Sequence, residues 1–488
     1  MFPVFLNAQN TGSIDFFEGA QKTFEQEFNK FQKDAEREFK AFEDSINTVF
    51  AKALKEQWQE FQIFTGTPIP VKPNPKTPPV IDIPPKEPPT PIEIPIKEII
   101  LPPKEPEPQQ PEKELELHQT PMPHYKTIHL WNSTYKIPHD TSLERLTLNN
   151  TQEKTIADFW EALSNTNYQP AVNALAEAKS ICSLNHYGLV LLCHEYAKLA
   201  WTNKTQNAEN QTSILFVFLL NQLSLDAKVV RTGQGLEAVL YSPQEVYATS
   251  YLEIDRKKYY FLFTTYSSTS GVYTYNINFS EKSTGLDFNI YKPLNIGNDE
   301  LKKDLLVKKL DRTVTLAFSE NAIAYYKDYP QVEAAIYADA AVSEVFRNSF
   351  IHQFKPLLAG KTEYEAVDIL LNFMHYAFEY QTDDEQFGYE KWNFCEENLY
   401  YPYNDCEDRS FLFSRLVREL LHLEVVLVQY SNHFSTAVHF TTPVSGSFFT
   451  IDGKKFIICD PTYIGATIGM NPEKYRNEKA EIVKLKKY

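Results

Sequence analysis

The sequence lacks the features that mark several large classes of protein. Its 488 residues include no run of about eighteen apolar residues, so no membrane-spanning helix is expected. A net charge of −16 argues against the basic surfaces that bind nucleic acid or anionic membranes. The five cysteines show no Cys-x-x-Cys spacing, which argues against a zinc site. A calcium loop of the Asp-x-Asp-x-Asp-Gly kind is also missing, so no metal or cofactor is expected.

What the chain does contain is ample material for large cores. Hydrophobic residues make up 43% of it, including 34 Phe and 29 Tyr. A chain of this length should hold two or three domains. Changes in composition divide it into five segments, which are 1–11, 12–64, 65–123, 124–298 and 299–488.

The first segment, 1–11, resembles the end of a secretory signal, with Ala8 at a plausible cleavage edge. On this reading the protein is exported to the periplasm or the extracellular space, and the signal is truncated here. An ordinary cytoplasmic N-terminus is the alternative. We therefore expect export, with the true start of the chain lying upstream.

Residues 12–64 carry apolar side chains in steps of three and four, which predicts a long amphipathic helical arm. Many of these side chains are Phe, and an exposed Phe stripe invites association. The alternatives for its partner are another helix, the body of the protein or a second chain. A second chain or a cell-surface partner is favoured, so the arm suggests a homo-oligomer or a surface attachment.

Residues 65–123 form a proline-rich segment that predicts an extended linker. Between positions 68 and 123 lie 19 of the chain's 30 prolines. Proline prevents helix and sheet interiors and favours polyproline-like spacers. The segment should therefore separate the arm from the globular part of the chain.

Three polar residues near the C-terminus occur in an order that thiol catalysis uses. Cys406 follows Asp405 at the start of an amphipathic stretch, so it should lie in the first turn of a helix. There the helix dipole should lower the pKa of the thiol. His433 opens an apolar strand, and Asp460 follows another strand just before Pro461. A thiol nucleophile needs a base and a group that orients the base, and these residues supply all three.

These motifs resemble the transglutaminase-like superfamily of the papain-like cysteine enzymes. The family pattern is a Gly/Asn-Asp-Cys helix start, a His that opens a strand and an Asp-Pro-Thr ending. Its counterparts here are Asn404-Asp405-Cys406, His433 and Asp460-Pro461-Thr462. The resemblance covers roughly residues 365–465. It implies an α+β fold in which Cys406, His433 and Asp460 form a catalytic triad.

The strand that follows His433 leaves one alternative open and departs from the family in one respect. His439 lies on the same face of that strand and is a rival for the catalytic base. The family often has an aromatic residue and an acidic residue where Ser435 and Ala437 stand here. Substrate specificity along this strand therefore does not transfer from the resemblance.

An oxyanion site needs hydrogen-bond donors beside the nucleophile. The backbone N–H of Cys406 is one expected donor. A second should come from the segment 381–405, where Gln386 is the first choice and Trp392 the alternative.

An earlier stretch repeats the pattern of the helix and strands at a constant offset of 197 residues. Residues 213–216 match 410–413, and residues 254–258 match 451–455. We therefore predict tandem transglutaminase-like domains, a degenerate repeat at 124–298 and an intact one at 299–488. At that offset the triad positions of the first repeat hold Glu209, Leu236 and Phe263.

The functional expectation is a cysteine-dependent enzyme that transfers acyl groups from protein or peptide amide bonds through a thioester. Hydrolysis, as in a peptidase or amidase, is slightly favoured over transamidation. The alternative is a non-enzymatic scaffold in which both repeats serve as protein-interaction modules. Rapid alkylation of Cys406 near neutral pH would favour the enzyme.

Overall fold

The computed structural model describes residues 45–70, 80, 89–102, 124–201, 207–264, 271–297 and 299–487. Helices and strands are mixed throughout these ranges, which confirms the expected α+β class. The predicted signal remnant and residues 12–44 of the predicted arm lie outside the described residues.

Local signals set many of the helix boundaries. Helix 363–377, for example, begins with a capping box in which Thr362 and Glu365 exchange side-chain and backbone hydrogen bonds. The helices are α1 (45–54), α2 (Glu153–Ser164), α3 (Gln169–Ile181), α4 (His186–Leu199), α5 (Ala208–Gln222), α6 (Glu320–Tyr326), α7 (Ala334–Asp339), α8 (Glu344–Leu358), α9 (Glu363–Ala377), α10 (Asp383–Gln386), α11 (Glu397–Tyr400) and α12 (Cys406–Leu421).

The strands form two large sheets and two small hairpins. They are β1 (Trp58–Phe64), β2 (Ile96–Ile100), β3 (Tyr125–Leu130), β4 (Ser133–Pro138), β5 (Ala227–Arg231), β6 (Leu236–Tyr241), β7 (Tyr251–Ile254), β8 (Lys257–Tyr260), β9 (Gly271–Tyr275), β10 (Glu300–Val307), β11 (Arg312–Ser319), β12 (Glu424–Tyr430), β13 (His433–His439), β14 (Phe448–Ile451), β15 (Lys454–Cys459) and β16 (Ala480–Lys484).

The first large sheet is a closed antiparallel barrel with the order β1-β7-β8-β6-β5-β9. The second is an open sheet with the order β14-β15-β13-β12-β16-β2, in which β2 pairs with β16 in parallel. A buried helix precedes five strands of each sheet, α5 before β5–β9 and α12 before β12–β16, whereas β1 and β2 come earlier in the chain. The candidate site therefore lies on the second sheet, next to α12.

The two sheets share one strand order, which is what an internal duplication requires. Reading from β7 and from β14, the strands follow each other in the same sequence, and β1 and β2 take the last place. The register of the β5–β6 hairpin differs from that of the corresponding β12–β13 hairpin. Arg231 faces Leu236 in the first sheet, whereas Tyr430 faces His433 in the second. The turn is two residues shorter in the second sheet, so the offset of 197 does not hold on both strands.

Two predictions about the N-terminal segments need correction. Residues 58–64, expected to continue a helical arm, form strand β1 and close the barrel between β7 and β9. Residues 96–100, expected within a free linker, form β2 on the second sheet, and Ile94 is buried in that sheet's core. Tertiary pairing overrides the helical period and the proline-rich composition at these positions.

The two halves share a continuous hydrophobic core. Tyr326 on α6 of the second half stacks on Phe394 with ring centroids 4.3 Å apart, and Tyr337 on α7 packs against the same ring, tilted, at 4.6 Å. The phenol of Tyr187, on α4 of the first half, donates a hydrogen bond to the carbonyl of Asp328. Residues 320–345 thus connect the barrel to the sheet that holds the candidate site.

Candidate active site

Helix α12 begins at Cys406, as the sequence predicts. Its apolar stripe, which includes Phe411, Leu412 and Leu416, packs into the core and fixes the start of the helix against the second sheet. The residue that caps the helix is Asp405, but its side chain accepts no capping hydrogen bond. Cys406 itself is fully buried.

The Cys406 thiol has two hydrogen-bond partners. Its Sγ donates to Oε2 of Glu407 at 3.0 Å. It also accepts a hydrogen bond from the backbone N–H of Phe434 at 3.3 Å. Because Phe434 follows His433 directly, the strand that carries the histidine touches the thiol.

The expected low pKa of this thiol is not what the structure gives. Burial raises the pKa of Cys406 well above its ordinary value, and the charges of Asp405 and Asp460 raise it further. Its two hydrogen bonds act in the opposite direction but are outweighed. The position at a helix N-terminus is the reason to expect a low thiol pKa. Desolvation and the flanking carboxylates outweigh that effect and raise the pKa.

His433 and Asp460 meet at the ends of neighbouring strands. His433 opens β13, and Asp460 directly follows β15, which pairs with β13. Nε2 of His433 lies 2.7 Å from Oδ2 of Asp460, and both side chains are buried. Nδ1 of His433 is buried and has no hydrogen-bond partner among the described residues. This nitrogen is the one left to take a proton from a nearby group.

The Asp460 carboxylate is held in its ionised form. Burial alone would raise its pKa, but the charge and hydrogen bond of His433 lower the pKa below its ordinary value. Its Oδ1 accepts hydrogen bonds from the N–H groups of Thr462 and Tyr463 at 2.9 and 3.2 Å, which also lower the pKa. On the backbone side, Nε2 of His375 lies 2.8 Å from the carbonyl of Asp460, a contact with no sequence signal.

The rival base, His439, lies at the other end of β13. Its Nδ1 is 2.9 Å from the backbone carbonyl of Lys455. It is partly exposed, whereas His433 is fully buried. Of the two histidines, only His433 is hydrogen bonded to Asp460.

Three tyrosines that no sequence motif singles out enclose His433. Tyr475 stacks on the imidazole with centroids 5.2 Å apart and an interplanar angle of 13°. Tyr463 meets it edge-on at 5.2 Å, and Tyr430 stacks on Tyr475 at 4.5 Å. The hydroxyl of Tyr475 donates to Oδ1 of Asn432 at 3.0 Å. The aromatic cover formed by Tyr430, Tyr463 and Tyr475 closes this side of the site.

The two predicted oxyanion donors differ in their surroundings. Both polar ends of the Gln386 amide are hydrogen bonded to the backbone of Tyr403, so the Gln386 side chain is not available as an oxyanion donor. The indole Nε1 of Trp392 is buried, and the part of the chain that the structure describes offers it no hydrogen-bond partner. Its ring packs against Phe434 with centroids 5.8 Å apart. Trp392 therefore stays a candidate, together with the N–H of Cys406.

Five carboxyl groups surround the start of α12, and only the three in the Cys406 motif are adjacent in sequence. The ligand oxygens of Asp383, Glu390 and Glu407 lie within 4.8 Å of one another, as do those of Asp383, Asp405 and Asp408. Burial and mutual repulsion raise the pKa values of Asp383, Asp405 and Glu407. Oxygen ligands in this density are the kind that hold a hard cation.

The corresponding positions in the first half carry different groups. Glu209 lies in the first turn of α5, and Leu236 opens β6. If the first strands of the two hairpins are aligned, His433 corresponds to Gln234 in a turn, two positions from Leu236. Phe263 stacks on His194 with centroids 4.1 Å apart. These positions hold no thiol and no carboxylate–imidazole pair.

Comparison with known proteins finds no matching family model, no matching curated protein and no matching solved structure. Among the described residues, no helix combines the length and apolar character that crossing a membrane would need.

Proposed function

We propose that this protein is a transglutaminase-like cysteine enzyme that transfers acyl groups from amide bonds of proteins or peptides. The observation that carries the proposal is the orientation of His433. Its Nε2 is hydrogen bonded to Asp460, while its Nδ1 has no partner among the described residues. The N–H of the adjacent Phe434 donates to the Cys406 thiol. A carboxylate–imidazole pair orients a general base, and the strand that carries this base also contacts the nucleophile, which supports the proposal.

The reaction would take place in two stages. Sγ of Cys406 attacks the carbonyl carbon of the amide, and Nδ1 of His433 takes the thiol proton. The C–N bond then breaks, and the amine leaves with the proton from His433, so that a thioester remains on Cys406. Asp460 keeps the proton on Nε2 and stabilises the imidazolium. The N–H of Cys406 and the indole of Trp392 would donate to the oxyanion.

The second stage decides between two products. Water that gives a proton to His433 and attacks the thioester yields the free acid and restores the thiol. A primary amine that attacks in the same way yields a new amide. We favour hydrolysis slightly, because bacterial proteins of the family that this chain resembles more often look like hydrolases.

The test is turnover of a library of acyl-peptides whose amine leaving group becomes fluorescent. Wild-type protein should release fluorophore, and Cys406→Ala should abolish release. His433→Gln should reduce kcat by about 10²-fold or more, the range that general bases contribute. His439→Gln is the matched control on the same strand and should retain activity. Retained turnover in Cys406→Ala would overturn the proposal.

One observation favours a second function, a protein-interaction scaffold. Cys406, His433 and Asp460 are all fully buried, and the thiol bonds to Glu407. A scaffold retains this packing without needing a reactive thiol. It predicts no turnover and no thioester adduct with any acyl-peptide, and it predicts that binding of a partner survives the Cys406→Ala change.

A further inference from the structure

The β3–β4 hairpin and helix α3, both in the first half of the chain, enclose a groove of about 430 Å³. All six residues of β4 line this groove, whereas β3 contributes Tyr125 alone. The groove therefore runs along the edge of β4 that does not pair with β3. Its opposite wall is one face of α3, which carries Ala174, Ala178 and Ile181.

The free edge of β4 presents backbone groups without partners. In an antiparallel pair, every second residue turns its N–H and C=O groups toward the partner strand, and the others turn theirs outward. The N–H of His139 donates to the carbonyl of His124, so His139 and every second residue before it face β3. Thr134 and Lys136 consequently face outward, and their backbone groups make no hydrogen bond among the described residues. Such an edge is a template for one more strand.

Exposed apolar side chains lie at both ends of the groove. Tyr125, which pairs with Pro138 at the end of β4, is 50% exposed. Ile181 is 59% exposed and lies near the other end, since residues 295–296 are hydrogen bonded to both Ile181 and Ser133. Exposed apolar surface that borders a groove is typical of an interaction site.

The two charged residues of the lining lie on opposite walls. Glu177 is on α3, and Lys136 is on β4. Lys136 is exposed, and its ammonium forms no ion pair in the part of the chain that the structure describes. Because Tyr135 and Ile137 are buried, Lys136 points to the opposite face of the hairpin, away from the core. A strand added at this edge should therefore place an acidic side chain beside Lys136.

We propose that the groove between β4 and α3 is a docking site for an extended peptide in which apolar and acidic residues alternate. The peptide joins the hairpin as a third strand and bonds to the backbone of Thr134 and Lys136. Its apolar side chains pack on α3, and its acidic side chains face Lys136. In this mode of recognition the main-chain bonds supply affinity, and the alternate side chains supply specificity. The docking site does not depend on Cys406 or on the proposed enzyme activity.

The experiment measures fluorescence anisotropy of a fluorescein-labelled hexapeptide of alternating leucine and glutamate, titrated with the full chain. Wild type should bind it saturably. The same peptide N-methylated throughout should bind at least about tenfold more weakly, because it has no main-chain donors. Lys136→Glu should weaken binding about five- to tenfold and favour a peptide of alternating leucine and lysine instead. Lys361→Glu, exposed and outside the groove, is the matched control and should bind as wild type.

Cys182 reports where the peptide binds. It lines the groove and is partly exposed, while the other four cysteines are buried. The peptide should slow alkylation of Cys182 by iodoacetamide in proportion to the fraction of protein bound, as mass spectrometry measures. Ala178→Trp fills the groove and should abolish both binding and protection. Ala176→Trp, on the exposed side of the same helix, should retain them, and circular dichroism checks that both variants fold.

Four results would overturn the docking site. They are no saturable binding by wild type, equal affinity for the N-methylated peptide, unchanged affinity in Lys136→Glu, and binding that leaves Cys182 unprotected. A dimer that sedimentation detects in wild type and that Lys136→Glu dissociates would show that a second copy occupies the groove, which would overturn the peptide as its occupant.

Discussion

At the scale of single residues, Asp460 shows how a buried charge is kept ionised. Each of its two oxygens has different hydrogen-bond partners. Oδ2 is hydrogen bonded to His433, and Oδ1 accepts from the N–H groups of Thr462 and Tyr463. Hydrogen bonds to the ionised form lower a carboxyl pKa, and here they overcome desolvation. The imidazole is thereby held with Nε2 on the aspartate.

Replacing Asp460 should therefore damage catalysis more than folding. In Asp460→Asn the amide can still accept the N–H of Thr462, but its NH₂ group would favour the wrong imidazole tautomer. We expect kcat to fall by about 10²-fold or more with little change in KM, and the pH profile to shift, which a merely structural role would not cause. Asp452→Asn, an exposed carboxylate on the β14–β15 hairpin, is the control. Unchanged kcat and pH profile would remove Asp460 from the mechanism.

Cys406 illustrates the limit of a local rule. A helix start lowers a thiol pKa only where the thiol is not desolvated and not surrounded by carboxylates. In the structure described here Cys406 is buried, while Cys182 is partly exposed. Fast labelling of Cys406 therefore requires the site to open first.

At the scale of elements, the segment that carries Tyr475 controls access to His433. Besides the ring stacking, Glu478 accepts the backbone N–H of Ser431 and ties this segment to the β12–β13 turn. The ring stacking is with Tyr430 and His433, the strand residues on either side of that turn. The segment and the turn should therefore open together.

Removing the Tyr475 ring should favour that opening. An aromatic contact contributes about 0.5–1.5 kcal/mol, so Tyr475→Ala should accelerate iodoacetamide labelling of Cys406 by up to about tenfold. Mass spectrometry after brief treatment gives the rate at each cysteine. Tyr364→Ala, an exposed tyrosine on α9, should change nothing. Equal rates in Tyr475→Ala and wild type would show that this ring does not limit access.

Strand β1 has a structural role that a detachable arm would not have. Ile63 is 2% exposed and packs inside the barrel, while Phe50 and Leu54 of α1 join the main core. Removing residues 1–66 would leave β7 and β9 without their shared neighbour. We expect that deletion to unfold the barrel, because residues 58–64 form one of its strands and are not part of a separate helical arm.

A single substitution tests this without deleting the strand. Ile63→Ala should lower the free energy of unfolding by about 2–4 kcal/mol, because it removes buried methylenes and leaves a cavity. Gln62→Ala, on the exposed face of the same strand, should change it by less than about 0.5 kcal/mol. Urea unfolding followed by circular dichroism gives both values. A cost below 1 kcal/mol for Ile63→Ala would mean that β1 is not needed for the barrel.

At the scale of the whole molecule, two half-buried histidines in the first half set a limit on acid stability. Burial, together with the charge of a nearby lysine, lowers the pKa of His186 and that of His194 from 6.5 to about 4. Their neutral forms are thus favoured in the folded state. The stability that they contribute is present above pH 6.5 and is lost as the pH falls towards 4.

Each histidine should contribute on the order of 3 kcal/mol to this loss, at about 1.4 kcal/mol per pKa unit. Urea unfolding at pH 7, 5.5 and 4 should show stability falling across this window. His194→Gln should flatten the decline, whereas His352→Gln, on the exposed face of α8, should leave it unchanged. The same slope in His194→Gln and wild type would contradict a lowered pKa for His194 in the folded state.

Local sequence determined the helix and the strands on which the candidate site lies. The apolar spacing after Cys406, the strand opened by His433 and the Asp-Pro-Thr ending each depend on residues within one or two helical turns, so the elements appear where the sequence predicts them. The constant offset likewise predicts a second sheet with the same strand order.

Only the tertiary structure decided which residues distant in sequence contact that helix and those strands. β1 and β2 were recruited to the two sheets, Tyr475 was placed on His433, and Asp383 was brought to the start of α12. The raised pKa of Cys406 follows from the same packing. The physical reason is that burial and charge at a site are summed over every neighbour in space, whereas a periodic pattern reports only neighbours along the chain.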